Sequence, residues 1–130
     1  MMDADRHYII CILAEDGRTV VPLGIEDYDV WNEWMHWHHA ERRVAKTMVG
    51  AARVSTVFLG QFLGFHGCCF ETMVFLPDGQ TYYQRALTWE TAELLHTEMV
   101  ADVAEMLGVK KPLIVWEHDQ GADREEEGQE

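Results

Sequence analysis

Positive charge is scarce in this chain of 130 residues. Ten lysines and arginines stand against 23 aspartates and glutamates, a formal net charge of −13. Such a surface repels phosphate backbones and anionic membrane surfaces, so direct binding to nucleic acid or to a membrane is not expected. A basic partner, such as the nucleic-acid-binding face of another protein, suits it better, and plain solubility is the alternative reason for the charge. Cysteine is also scarce. Cys11, Cys68 and Cys69 are odd in number, two are adjacent, and no CxxC occurs. That excludes a secreted disulfide scaffold and points to a reducing cytoplasm. No apolar run approaches the ~20 residues of a membrane span, and the opening MMDADRH lacks the basic start of a signal peptide. The glycine-rich stretch GQFLGFHG has no GK[ST] ending, and GxGxxG is absent, so those routes to nucleotide binding are excluded.

What is present is ample material for a core. Hydrophobic residues make up 48% of the chain, and this length suits one domain that buries roughly two thirds of its unfolded surface. Residues 1–116 are expected to form it. Residues 117–130, EHDQGADREEEGQE, hold seven acids and one arginine. They carry no aliphatic side chain larger than alanine, so disorder is expected there.

Along the chain, HYIICIL (His7–Leu13) reads as a buried strand, and TVVPL as a short edge strand because Pro22 has no N–H to donate. Asp27 or Asp29 can cap a helix running to about Arg42. Its apolar stripe is Val30, Trp31, Trp34, Met35, Trp37 and His38, with Asn32, Glu33, His36 and His39 on or near the other side. RVAKTMV and RVSTVFL flank a Gly50 turn as a hairpin. Gly60–Gly67 reads as a loop, CCFETMVF as a strand, PDG as a turn, and QTYYQR as a strand nearer an edge. Thr88 caps a second helix with the stripe Ala92, Leu95, Met99, Val103 and Leu107, ended by Gly108. LIVW closes as a short strand or docked extension. The sum is an α+β fold, a mainly antiparallel sheet of about five strands against two helices. The Met99–Val103 face is expected to pack on Val57 and Met73, and Leu95→Ala to cost about 2–5 kcal/mol.

Three kinds of site compete. The helix segment WNEWMHWHHA suggests an interface, since tryptophan at a surface is typical of contact hot spots; Trp31, Trp34 and Trp37 are the candidate anchors, with ordinary core packing as the alternative. A polar patch of Arg53, Ser55, Glu71 and Gln84 is expected on the open sheet face, with a plain cross-strand ion pair as its bland form. Two E-x-x-H pairs, Glu33 with His36 and Glu93 with His96, could ligate a metal if they faced each other. Geometry disfavours that, because two helices on one sheet turn their apolar faces to it. His66 beside Cys69 is the minimum for thiol chemistry but sits in no nucleophile motif. No cofactor and no catalytic residue is therefore assigned.

The segments RVAKTMV, VSTVFLG, FETMVF and TWETA (Arg43–Val49, Val54–Gly60, Phe70–Phe75 and Thr88–Ala92) form a pattern across roughly residues 42–100. It resembles a group of small proteins of tailed bacteriophages and prophages. In that group the insert after VSTVFLG is longer, and an acidic capping partner is common where Thr91 stands here. The resemblance implies context rather than chemistry: a non-enzymatic factor in a bacterial host cytoplasm that binds a host or anti-phage defence protein, with inhibitory effect. A small metal-binding protein or enzyme and a homo-oligomeric structural protein are the alternatives.

Overall fold

The computed structural model describes residues 9–63 and 67–116. His7 and Tyr8 of the expected first strand, His66, and the expected acidic tail 117–130 lie outside the described residues. The fold is α+β, with a mainly antiparallel sheet of six strands rather than five and two helices. The strands are β1 (Ile10–Leu13), β2 (Val20–Leu23), β3 (Arg43–Val49), β4 (Ala52–Leu63), β5 (Cys68–Phe75) and β6 (Thr81–Ala86); the helices are α1 (Tyr28–Trp37) and α2 (Trp89–Leu107). A short 3-10 turn, Ile25–Asp27, leads into α1.

The sheet order is β2-β1-β4-β5-β6, with β3 also paired to β4. β5 runs along one edge of β4; β3 and β1 share the other, β3 along residues 52–57 and β1 at Gln61. β2 is an edge strand, the position that Pro22 tolerates. Residues 113–116 dock on the free edge of β3 without becoming a strand: Trp116 bridges Ala45, and the Lys46 amide donates to the Val115 carbonyl at 3.1 Å.

Three local expectations need correction. First, β4 does not stop at Leu59 but continues through Gly60 to Leu63, with a register shift against β5 between Phe58 and Leu63. Gly60 has φ +77, which glycine adopts without the Cβ clash that other residues meet. Second, α1 ends at Trp37, not near Arg42. His38 leaves helical geometry, and both its backbone N–H and its ring Nδ1 bond to the Trp34 carbonyl. Arg42 and Arg43 therefore lie beyond the helix and do not complement its dipole. Third, the sheet presents the opposite side chains to α2. Val54, Thr56 and Phe58 on β4 and Phe70, Thr72 and Val74 on β5 face the helices and are buried. Val57 and Met73 lie on the other face, while Met99, Val100, Val103 and Ala104 pack with Val49, Ala52, Val54 and Val74. Leu95 is only partly buried, so its truncation costs less than that of a core leucine.

α2 forms as its signals dictate. The Thr88 hydroxyl accepts the Thr91 amide at 3.1 Å, and Gly108 closes the helix in the left-handed conformation. The helix then buries a histidine. His96 is fully buried, its Nε2 2.9 Å from the Thr47 hydroxyl and its Nδ1 2.7 Å from the Thr56 hydroxyl. Thr56 reaches Thr72 at 2.6 Å, and Thr47 accepts the Val115 amide at 3.2 Å. A neutral imidazole has one donor and one acceptor nitrogen, which matches two hydroxyls that can each play either part. The chain of bonds joins β3, β4, β5, α2 and the C-terminal extension.

Burial pushes the His96 pKa down from its ordinary 6.5 to about 4. The ring is neutral in the fold, while the unfolded chain binds a proton below pH ~6.5. Stability supplied by neutral His96 is thus intact above pH 6.5 and is lost as pH falls toward 4, up to about 3 kcal/mol. Urea unfolding of wild type and His96→Gln at several pH values tests this. The stability advantage of wild type should shrink by about 3 kcal/mol between pH 7 and 4; an advantage independent of pH would show that folding leaves the ring's pKa unshifted.

Candidate functional site

The first helix is attached by an edge rather than sunk into the core. None of its residues is fully buried. Trp31, Trp34, Met35 and His38 turn toward the sheet, as their spacing of three and four requires. Trp31 Nε1 donates to the Gly60 carbonyl at 2.8 Å. Trp34 meets Phe58 edge-on, with ring centroids 6.0 Å apart, and stacks on His38 at 4.8 Å. A Cβ at Gly60 would stand 2.6 Å from Met35 Sδ and 3.3 Å from Trp31 Nε1. Gly60 therefore both kinks β4 and lets α1 come down on it.

The expected tryptophan stripe is split. Trp31 and Trp34 hold the helix to the sheet, and Trp37 is 70% exposed. Val30, seven residues earlier on the same face, is exposed too, as are Ile25 and Tyr28. Around this ridge the charge is of one sign. No lysine or arginine occurs between Arg18 and Arg42, while Glu26, Asp29, Glu33 and Glu41 are exposed.

Beside the ridge is a cleft of about 490 Å³, lined by Ile12, Leu13, Ala14, Glu15, Gly17, Trp34, His38 and Glu41. Its floor is apolar, and two carboxylates stand at its rim. The β1–β2 turn that forms one wall is pinned by Asp16, which accepts the Thr19 hydroxyl and the Thr19 and Arg18 amides. Those bonds, the Thr19 hydroxyl first, hold its carboxyl down to about 2. Neither the cleft nor the role of His38 is readable from the chain, since its walls come from a turn and a helix end more than fifteen residues apart.

The opposite face of the sheet carries no helix among the described residues. Cross-strand register sets its rows: Met48, Arg53, Phe75 and Thr81; Lys46, Ser55, Met73 and Tyr83; Arg43, Val57, Glu71 and Arg85. The polar patch expected on it is partly right. Arg53, Ser55 and Glu71 share the face, but Gln84 pairs with Thr72 and so belongs to the helix side. Arg85 takes its place, donating to Glu71 at 3.2 Å. The pattern that sequence reading missed is its charge. Four cations, Arg43, Lys46, Arg53 and Arg85, stand with one carboxylate. Arg53 lies over Phe75 at 4.2 Å and Arg85 over Tyr83 at 4.7 Å. Strict alternation would put residues 43 and 46 on opposite faces; the bulge between Arg43 and Ala45 brings both to the side of Arg53, and that bulge depends on pairing with β4.

The remaining candidates are not brought together. His96 is enclosed in its threonine network, Glu93 accepts the Trp89 indole N–H at 3.1 Å, and Glu33 and His36 are exposed on α1. Among the described residues no three of His, Cys, Asp and Glu are grouped to hold a metal ion. Cys69 is buried beside Cys11, and its Sγ lies 3.5 Å from the Leu87 carbonyl. The hydrogen bond between the two thiols, reinforced by burial, raises the Cys11 pKa, so that thiol stays protonated. No helix among the described residues is long and apolar enough to cross a membrane.

Comparison of the chain with protein-family models, curated proteins and solved structures finds no match.

Replacing Gly60 by alanine should cost about 1–2 kcal/mol, from the left-handed backbone and the displaced Met35. Trp37→Ala should change stability by no more than about 0.5 kcal/mol, as at an exposed site whose ring meets only the exposed ring of His36 among the described aromatic side chains. Urea midpoints of the two variants measure both. A Trp37 variant as unstable as the Gly60 variant would place Trp37 in the core.

Proposed function

We propose that the chain is a non-enzymatic binding factor, acting in a bacterial host cytoplasm, whose acidic aromatic helix α1 takes another protein as partner. The observation that carries this reading is Trp37, an exposed tryptophan in line with Val30 on a segment without lysine or arginine, where Glu26, Asp29, Glu33 and Glu41 are exposed. Exposed aromatic side chains are a large apolar payload that water does not reward. An acidic rim adds attraction for a basic surface and speeds encounter with it. The adjoining cleft suits an apolar side chain of the partner, with Glu15 and Glu41 placed to meet a neighbouring lysine or arginine. A basic nucleic-acid-binding protein of the host, including one that defends against phage, is the partner class that fits. Occluding its anion-binding face would inhibit it. The phage-like motifs between Arg43 and Ala92 support that setting. Self-association is the second reading, because the same ridge on two copies can bury Trp37 mutually.

The test uses the full chain immobilised beside a Val30→Ala/Trp37→Ala double variant, and host lysate. A basic protein held by the wild type, released by salt and lost from the double variant is the expected result. Equal retention by both chains would remove α1 as the contact. Sedimentation equilibrium separates the second reading: dimers lost on the double substitution would move the ridge to self-association.

A further inference from the structure

The open sheet face has the opposite character to α1, and the structure places a basic hollow on it. Arg43, Ala45, Lys46, Arg53, Ser55 and Val57 line a depression of about 340 Å³. Glu71, the carboxylate of this face, is already bonded to Arg85. Arg43, Lys46 and Arg53 have no salt-bridge partner among the described residues. Three cations and a hydroxyl around one hollow are a receptor for carboxylates or phosphates.

The described chain ends beside it. Val115 and Trp116 lie on the edge of β3, bonded to Lys46 and level with Ala45, two residues that line the hollow. From there the sequence continues as EHDQGADREEEGQE, with seven carboxylates. Fourteen residues reach up to ~45 Å when extended, far more than the hollow requires. A tethered segment acts at an effective concentration of about millimolar, so weak individual ion pairs suffice. We propose that residues 117–130 dock on the open sheet face, their carboxylates on Arg43, Lys46 and Arg53. The docked segment neutralises the basic face and, on the function proposed above, leaves α1 as the charged surface that partners meet.

Lys46, Lys110 and Lys111 are the only lysines of the chain, which makes zero-length carbodiimide coupling a direct probe. The reagent joins a lysine amine to a carboxyl carbon it already touches, taking up the water lost. In the full chain at low salt, Lys46 should form amides with acids of 117–130 in species of monomer mass. Its yield relative to Lys110 and Lys111 should fall roughly tenfold in Arg43→Glu/Arg53→Glu, which keeps the reporter lysine and removes the attraction. It should fall likewise in wild type at about 0.5 M salt, where the Debye length is ~4 Å. Far-UV circular dichroism checks that the variant is folded. Amides at Lys46 no more abundant than at Lys110 and Lys111 overturn the proposal, as do Lys46–tail amides confined to dimers. So does a labelled oligothymidylate that binds the wild-type chain as tightly as a variant with Glu125, Glu126 and Glu127 changed to glutamine, since the face would then be open.

Discussion

One buried imidazole holds the described residues together. His96 sits where α2 crosses β3, β4 and β5, and each of its nitrogens has a threonine hydroxyl within hydrogen-bond distance. Polar groups inside a core are costly when unpaired and specific when paired. Here they allow one arrangement only. Sliding α2 along the sheet by one turn would leave both imidazole nitrogens without partners in an apolar interior and cost Thr47 and Thr56 one hydrogen bond each. The apolar side chains around them, Val54, Val74, Met99 and Val103 among them, supply the driving force for packing but little positional information. The network also extends to Val115, so the placement of the last described residues depends on the same contact.

Because both helices lie on one face, the sheet divides the molecule into two chemically distinct sides. On the helix side, α1 displays aromatic and acidic residues. On the other side, the strands display four cations, two of them lying over the rings of half-buried Phe75 and exposed Tyr83. A chain with so large a net negative charge gains nothing in solubility from gathering four of its cations on one face. The segregation places attraction for anions and attraction for cations on opposite surfaces of one small protein.

The fold class and most elements were legible in the residues because their signals are local. Thr88 and Gly108 bracket α2, Pro22 marks an edge, and alternation marks β3, β4 and β5. What escaped depends on contacts distant in sequence. The side of β4 that faces α2 is decided by Thr56 meeting His96, forty residues away, and apolar patterning could not choose because neither face of the strand is charged after Arg53. Gly60 looked like the start of a loop, since its left-handed bulge inside a strand is required only by the helix resting on it. The tryptophans looked like one stripe because a three-residue spacing drifts around the helix: over six residues Trp31 and Trp37 diverge by more than a right angle. Gln84 was assigned to the wrong face for want of a register, which only the pairing with Thr72 supplies.

The shallow seating of α1 has a consequence for how the molecule breathes. Cooperative units open in order of the apolar surface they bury, and α1 has no fully buried residue whereas α2 has seven. The first helix is thus the part that detaches at least expense, on its own, while the sheet and α2 remain assembled. A surface that comes away from its scaffold in this manner can adjust its angle to whatever it touches. A contact made through α1 would then owe as much to how seldom the helix lifts from β4 as to the side chains it presents.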